Sequence, residues 1–192
     1  KYPVIMPLIW CIFLINIAAH AVQTTWSYYT MEKYSWDERM VGISLGYIGI
    51  LLAIVQAGLL RIIIPKLGLA KSILLGLLFN SIALPLLGFA TTTWMLFAII
   101  VLYVSAGIAG PALQSLVSNL TPKNEQGQIQ GGIASIVSLT AIIGPPLMSN
   151  LFAYFTNKDA PYYFPGAPFI MGGLLAAIAT AIALKYIRGK HG

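Results

Sequence analysis

The stretch that decides the fold is residues 94–120, WMLFAIIVLYVSAGIAGPALQSLVSNL, which contains no acidic or basic side chain. A helix of about 20 apolar residues crosses a hydrocarbon core about 30 Å thick. The stretch therefore predicts a transmembrane helix. Five further apolar stretches bring the expected number of spans to six, near residues 4–29, 41–64, 72–90, 94–120, 129–155 and 167–187. We expect an all-α membrane protein in which residues 1–192 form a single bundle.

The composition supports a protein whose surroundings are mainly lipid. Hydrophobic residues make up 58% of the 192-residue chain and charged residues 8%, and the mean hydropathy is +0.84. Soluble domains carry about 25% charged residues. The net charge of +6 arises from basic residues between apolar stretches, so it does not indicate nucleic-acid binding. Cys11 is the only cysteine, which excludes an intrachain disulfide, and we expect no metal site and no cofactor.

Basic residues between the spans predict the orientation of the chain. Alternate loops and the two ends fall on one side of the membrane, and eight of the eleven basic residues lie on that side. Because Lys and Arg concentrate in cytoplasmic loops, both ends are expected in the cytoplasm. The eight residues are Lys1, Arg61, Lys66, Lys71, Lys123, Lys185, Arg188 and Lys190.

The first span carries a stripe of polar side chains. Asn16, His20, Gln23 and Ser27 follow one another at intervals of four, three and four, which places them on one helical face. Such a face indicates either the wall of a solute cavity or hydrogen bonds between helices. His20 is the one side chain inside the six spans that titrates near neutral pH, so it is a candidate proton relay. The alternative is a neutral histidine that donates one hydrogen bond.

Other spans add polar residues and helix-breaking sequences. We include Gln56 of the second span and Gln114 and Ser118 of the fourth among the candidate cavity residues. Proline removes a backbone donor and bends a helix, and glycines permit close helix contact. A bend and close packing are therefore expected at two places, formed by Gly107, Gly110 and Pro111 and by Gly144 and Pro145.

Several segments resemble the second half of the tetracycline/proton antiporter branch of the major facilitator superfamily. They are residues 107–118 (GIAGPALQSLVS), residues 124–131 (NEQGQIQG), residues 138–146 (SLTAIIGPP), and the pair Trp36 and Asp37 followed by residues 41–45 (VGISL) and Gln56. The resemblance implies a twelve-helix transporter of a small organic solute, drug efflux included, driven by a proton gradient in a bacterial inner membrane. The six spans would form its C-terminal half, with an inverted three-plus-three repeat, and the N-terminal half would be their partner. The first and fourth spans would then line the cavity, the second and fifth would help to close it, and the third and sixth would lie outside.

The chain departs from this family pattern in the third span. Tetracycline exporters have an aspartate in the segment that matches residues 75–87, where this chain has Asn80. An amide neither exchanges a proton nor holds a cation by charge, which argues against tetracycline as the solute. The loop at residues 61–71 likewise resembles a degraded copy of the superfamily's gating loop and lacks its aspartate.

Two other functional interpretations remain open from the sequence. The chain is alternatively a non-transporting membrane receptor or scaffold with the same fold, or a six-helix half that forms a homodimer. Intramembrane catalysis ranks third, because the spans offer His20 with only hydroxyl and amide groups. The first residue is Lys1 instead of methionine, from which we expect a fragment or a processed product.

Overall fold

The computed structural model describes residues 5–188, so the expectations for Lys1, Val4 and Lys190 lie outside the described residues. The helices of this part are α1 (Met6–Tyr34), α2 (Glu38–Ile54), α3 (Leu60–Phe89), α4 (Thr93–Ser105), α5 (Ala109–Leu120), α6 (Gln126–Thr156) and α7 (Ala167–Arg188). A π-helical segment, Val55–Leu59, joins α2 to α3, and a 3-10 turn, Ala106–Ile108, joins α4 to α5. Another 3-10 turn, Lys123–Glu125, precedes α6.

Five helical stretches of the described residues are long and apolar enough to cross a membrane, whereas the sequence predicts six spans. The difference arises in Glu38–Phe89, which is one stretch of 52 residues. The predicted connection at residues 65–71 is not an irregular loop. Two helices meet there at a kink, and the segment is helical except at one residue. That residue is Gly68, with φ 77° and ψ 163°. Glycine alone adopts this backbone conformation without strain, so the helical path is interrupted there.

Helix α1 continues to residue 34, one turn beyond the predicted end of the first span. Side chains of this extra turn bind the end of α3. Lys33 Nζ donates to the carbonyl oxygen of Gly88 at 2.8 Å, and Tyr34 Oη donates to that of Ala90 at 2.5 Å. The last carbonyl groups of a helix have no partner within the helix. The last turn of α1 is therefore stabilised by its hydrogen bonds to the carbonyl groups at the end of α3.

Helices α1, α3 and α7 form the packed part of the bundle. Trp26, Tyr29 and Phe169 are fully buried, and the Phe169 ring lies 4.6 Å from that of Tyr29 in a T-shaped arrangement. The buried face of α7 is otherwise made of small residues, which allow its backbone to approach α1 and α3 closely. They include Ala176, Ala179, Thr180 and Ala183. The sixth predicted span is therefore a packing helix.

Helices α2 and α6 present most of their surface outward. Of the 17 residues of α2, only Val41, Ser44 and Ile48 are buried. Much of the exposed surface of both helices is aliphatic, as at Ile50 and Ile142. In a membrane protein such faces meet lipid or another membrane domain.

Candidate functional site

A cavity of about 550 Å³ lies between α1, α2, α3, the α4–α5 junction and α6. Ligand pockets for small molecules have volumes of about 300–1,000 Å³. Its walls are mostly hydrocarbon, with polar groups at a few points. The lining residues are Ile15, Asn16, Ala19, Val22, Gln23, Trp26, Ser27, Leu45, Ile48, Leu52, Asn80, Tyr103, Val104, Ala106, Gly107, Ala109, Gly110, Pro111, Gln114 and Val137.

Three of the predicted polar cavity residues lie in this wall. Asn16 and Gln23 belong to α1, and Gln114 belongs to α5. Gln23 and Gln114 are exposed, so their amides are free to turn towards a solute, whereas Asn16 Nδ2 already donates to the carbonyl oxygen of Ile12 at 2.7 Å. The structure therefore brings amides of the first and fourth predicted spans to one space.

The other three predicted polar residues do not line the cavity. His20 lies against α6, where a Cβ atom added to Gly144 would be 2.2 Å from the His20 Cδ2 atom. Gln56 is exposed in the π-helical segment, and Ser118 is half-buried one turn beyond Gln114. The helical stripe in α1 thus divides, with His20 turned towards a neighbouring helix.

The cavity wall includes the interruption between α4 and α5. Proline at a helical position removes the hydrogen bond to the carbonyl of the residue four positions earlier and clashes with that carbonyl. For Pro111 this residue is Gly107, which lies in the 3-10 turn Ala106–Ile108. Gly107, Gly110 and Pro111 all line the cavity, so the irregular backbone faces a space that a ligand or water can fill.

The second predicted break does not interrupt its helix. Helix α6 runs without a gap from Gln126 to Thr156 and contains both Pro145 and Pro146. Transmembrane helices tolerate proline where neighbouring groups satisfy the freed carbonyls. Gly144 is buried, and its missing side chain makes room for the His20 ring. It serves close packing at this position.

The predicted set of cavity residues omits three lining side chains. The resemblance placed the third span outside, yet Asn80 of α3 reaches the cavity, and its Oδ1 atom is buried without a hydrogen-bond partner. Tyr103 and Trp26 also contribute, and Trp26 Nε1 donates to Ser44 Oγ at 2.9 Å. The signal for Asn80 was available, because a lone amide in an apolar span tends to face the protein interior.

A polar contact outside the cavity joins the segment between α6 and α7 to the end of α1. Tyr163, in the segment between α6 and α7, donates from Oη to Glu32 Oε1 at 2.6 Å. This hydrogen bond and the nearby carboxylate raise the pKa of Tyr163 to about 12. Tyr163 therefore keeps the proton that it donates to Glu32 over the physiological pH range.

The polar groups at the cavity are amides, hydroxyls and an indole N–H. Residues 5–188 hold no cluster of three or more His, Cys, Asp or Glu side chains able to bind a metal ion. Cys11 is fully buried, and its Sγ donates to the carbonyl oxygen of Ala179 at 3.3 Å. Amides and hydrocarbon in a pocket of this size bind a small molecule by hydrogen bonds and apolar contact.

These features define an integral membrane protein with a cavity lined by several of its helices. Residues 8–191 match the Major Facilitator Superfamily, and the chain belongs to this family of transporters.

The similar proteins confirm the resemblance to the tetracycline branch. The chain is 31% identical over 183 residues to the tetracycline resistance protein, class B, of Escherichia coli, covering 95% of the chain and 44% of the relative. It is 34% identical over 178 residues to the class E protein of Escherichia coli, covering 93% and 43%. It is 27% identical over 194 aligned positions to the hippocampus abundant transcript 1 protein of Homo sapiens, covering 90% and 40%. The chain thus spans about two fifths of the length of these relatives.

Proposed function

We propose that this chain is the C-terminal six-helix half of a secondary active transporter that moves a small organic solute by alternating access. The cavity carries this proposal, because it brings amides from α1, α3 and α5 together in a largely apolar wall of ligand size. In alternating access, the two halves of the transporter rock around a site near the middle of the membrane. Family membership supports the same activity. The tetracycline resistance proteins suggest efflux as the direction to test first.

The six-span arrangement requires Glu38–Phe89 to cross the membrane twice. A continuous helix of 52 residues would be about 78 Å long, which is more than twice the hydrocarbon thickness. We infer that the chain reverses at Gly68, which leaves residues 69–89 as a span of about 31 Å. Lys66 and Lys71 then lie on the same side of the membrane, in the cytoplasm by the positive-inside rule. A cysteine at either position should react with an impermeant thiol reagent from the cytoplasmic side only; reaction from opposite sides would refute the reversal.

The N-terminal half of the same transporter is the proposed partner of α2 and α6. Glycines follow one face of α2 at positions 42, 46 and 49, and α6 begins with glycines at positions 127 and 131. A Cβ atom added at any of these five glycines would meet no atom within 4 Å, so the faces are uncovered in this chain. Small residues in membrane helices allow another helix to approach closely. The covered length, about two fifths of each relative, leaves room for a second half of similar size.

A proton gradient is the proposed energy source, and His20 is the candidate residue for carrying the proton in this half. The His20 ring lies between α1 and Gly144 of α6, one turn from Asn16 and Gln23 in the cavity wall. A histidine there is able to change charge near neutral pH. The pH dependence of transport in His20→Ala tests this role. An unchanged profile would remove His20 from the relay.

Flux through proteoliposomes tests transport itself. Full-length protein would be reconstituted, and tetracycline and other labelled organic solutes would be added under imposed proton and sodium gradients. We expect gradient-dependent movement of at least one solute. A Gly76→Leu variant, which blocks the contact between α3 and the α4–α5 junction, is the inactive control. If no solute moves under any gradient while solutes still bind, the receptor interpretation replaces transport.

A further inference from the structure

The polar groups of the cavity are mainly side-chain amides supplied by different helices. Asn16 and Gln23 come from α1, Asn80 from α3 and Gln114 from α5. An amide both donates and accepts hydrogen bonds, so it suits neutral partners of either kind. The remaining wall is largely aliphatic, and the described lining residues include no carboxylate, amine, guanidinium or imidazole group.

The wall that the described residues of this chain contribute offers hydrogen bonds and apolar contact but no charged group. A charged solute that enters it loses water of hydration, and the lining residues of this chain provide no opposite charge to replace that water. A neutral solute loses less and recovers hydrogen bonds from the amides. Aliphatic residues such as Ile48, Leu52 and Val137 favour an apolar body on the same solute.

We propose that the cavity binds an uncharged, largely apolar solute with hydrogen-bonding groups, and that the Asn80 amide helps to select it. The inference rests on the proposed function in one respect, which is that the cavity is the solute site. The cavity volume of about 550 Å³ fits a molecule of drug size.

Asn80 has the unsatisfied group that this role requires. Its Oδ1 atom is buried without a partner, whereas the Asn16 amide is already bonded to Ile12. A buried polar atom without a hydrogen bond destabilises the folded state. Because Asn80 lines the cavity, a donor on a solute that packs against its amide would supply the missing partner. Asn80 is thus a specificity-determining residue that lowers the stability of the empty protein.

Cysteine protection measures binding at this site without measuring transport. In a full-length protein without other reactive cysteines, Ser27→Cys reports on the cavity wall and leaves all four amides in place. Ser115→Cys is the matched control, because Ser115 is exposed and lies outside the lining. The probes are 2-naphthamide, 2-naphthamidine and 2-naphthoate, which share a ring system and carry charges of about 0, +1 and −1 at pH 7. The rate of maleimide labelling is recorded against probe concentration.

We expect 2-naphthamide to protect Ser27→Cys at a concentration at least about tenfold lower than either ion, and no probe to protect Ser115→Cys. Equal or better protection by either ion, or no protection by 2-naphthamide, would overturn the inference. Protection without flux in proteoliposomes would instead contradict transport and leave the solute class intact, so the two failures are distinguishable.

Variants of Asn80 test its part in the selection. Asn80→Leu keeps the branched shape without polar atoms, and we expect protection by 2-naphthamide to weaken about fivefold while thermal stability is kept or raised. A purely structural role would change stability and leave the probe affinity unaltered. Asn80→Asp adds a carboxylate, which should shift the preference towards 2-naphthamidine by at least about tenfold. An unchanged preference in Asn80→Asp, together with unchanged affinity in Asn80→Leu, would exclude Asn80 as a selecting residue.

Discussion

Gly68→Ala should destabilise the protein, although nothing occupies the space that the new methyl group would enter. A Cβ atom at residue 68 meets no atom within 4 Å, so the effect comes from the backbone alone. Alanine held at φ 77° and ψ 163° is strained by about 1–3 kcal/mol. The lower entropy of the unfolded chain offsets about 0.4–1 kcal/mol of this. The expected net loss is on the order of 1 kcal/mol.

The matched control for this change is Gly58→Ala, in the π-helical segment. The added Cβ again meets no atom within 4 Å, but no positive φ is required at residue 58. Alanine should therefore stabilise this position by about 0.5–1 kcal/mol. Both variants would be unfolded by heat in detergent as the full-length protein, and the sign of each stability change would be compared. Stabilisation by Gly68→Ala equal to that of Gly58→Ala would refute the reversal of the chain at Gly68.

Three further changes test individual contacts between elements of the bundle. Gly144→Ala should lower the free energy of unfolding by about 1–3 kcal/mol, because the new methyl group collides with His20. Adding His20→Ala to the same protein should restore most of that stability. In a double-mutant cycle measured by thermal unfolding, additive losses would contradict the contact. Lys33→Met should lower the free energy of unfolding by about 1 kcal/mol, because a carbonyl at the end of α3 loses its donor, and an unchanged melting temperature would contradict this. The pKa of Tyr163 lies above its ordinary value, so its hydrogen bond to Glu32 persists through pH 10 and is lost as the pH rises through about 12. The difference in tyrosinate absorbance between the unmodified protein and Tyr163→Phe reports the ionisation of Tyr163 and should have its midpoint at about pH 12. A midpoint near pH 10 would contradict this prediction.

Much of the fold follows from hydropathy because the hydrocarbon core imposes a strict length on each helix. The stretches at residues 94–120 and 167–187 were predicted almost to the residue. The ends that were misplaced depend on contacts distant in sequence. Helix α1 continues to Tyr34 because its last turn binds the end of α3. That contact cannot be predicted from any local pattern in the sequence. The helical turns on either side of Gly68 were missed because Pro65 and the neighbouring lysines resemble a loop by composition.

The candidate site was predictable as a set of polar residues but not as a set of neighbours. Helical spacing places Asn16, His20 and Gln23 on one face, yet that face is wide enough to meet two different surroundings. Asn16 and Gln23 meet the cavity, while His20 meets α6 because the absent side chain of Gly144 leaves room for its ring. Which surroundings a side chain on a helical face meets thus depends on where the neighbouring helix has a small residue.

The same dependence explains Asn80. One turn before it, a Cβ atom added to Gly76 would lie 2.8 Å from the backbone nitrogen of Ala109, so α3 approaches the start of α5 very closely. This approach carries the next turn of α3 to the cavity wall, which Asn80 lines together with residues of α4 and α5. A helix that the family resemblance placed outside thereby supplies a polar group to the site. An aspartate at residue 80 would add a charge to this wall, so a comparison of Asn80 with aspartate in the same protein isolates what that position contributes to the choice of solute.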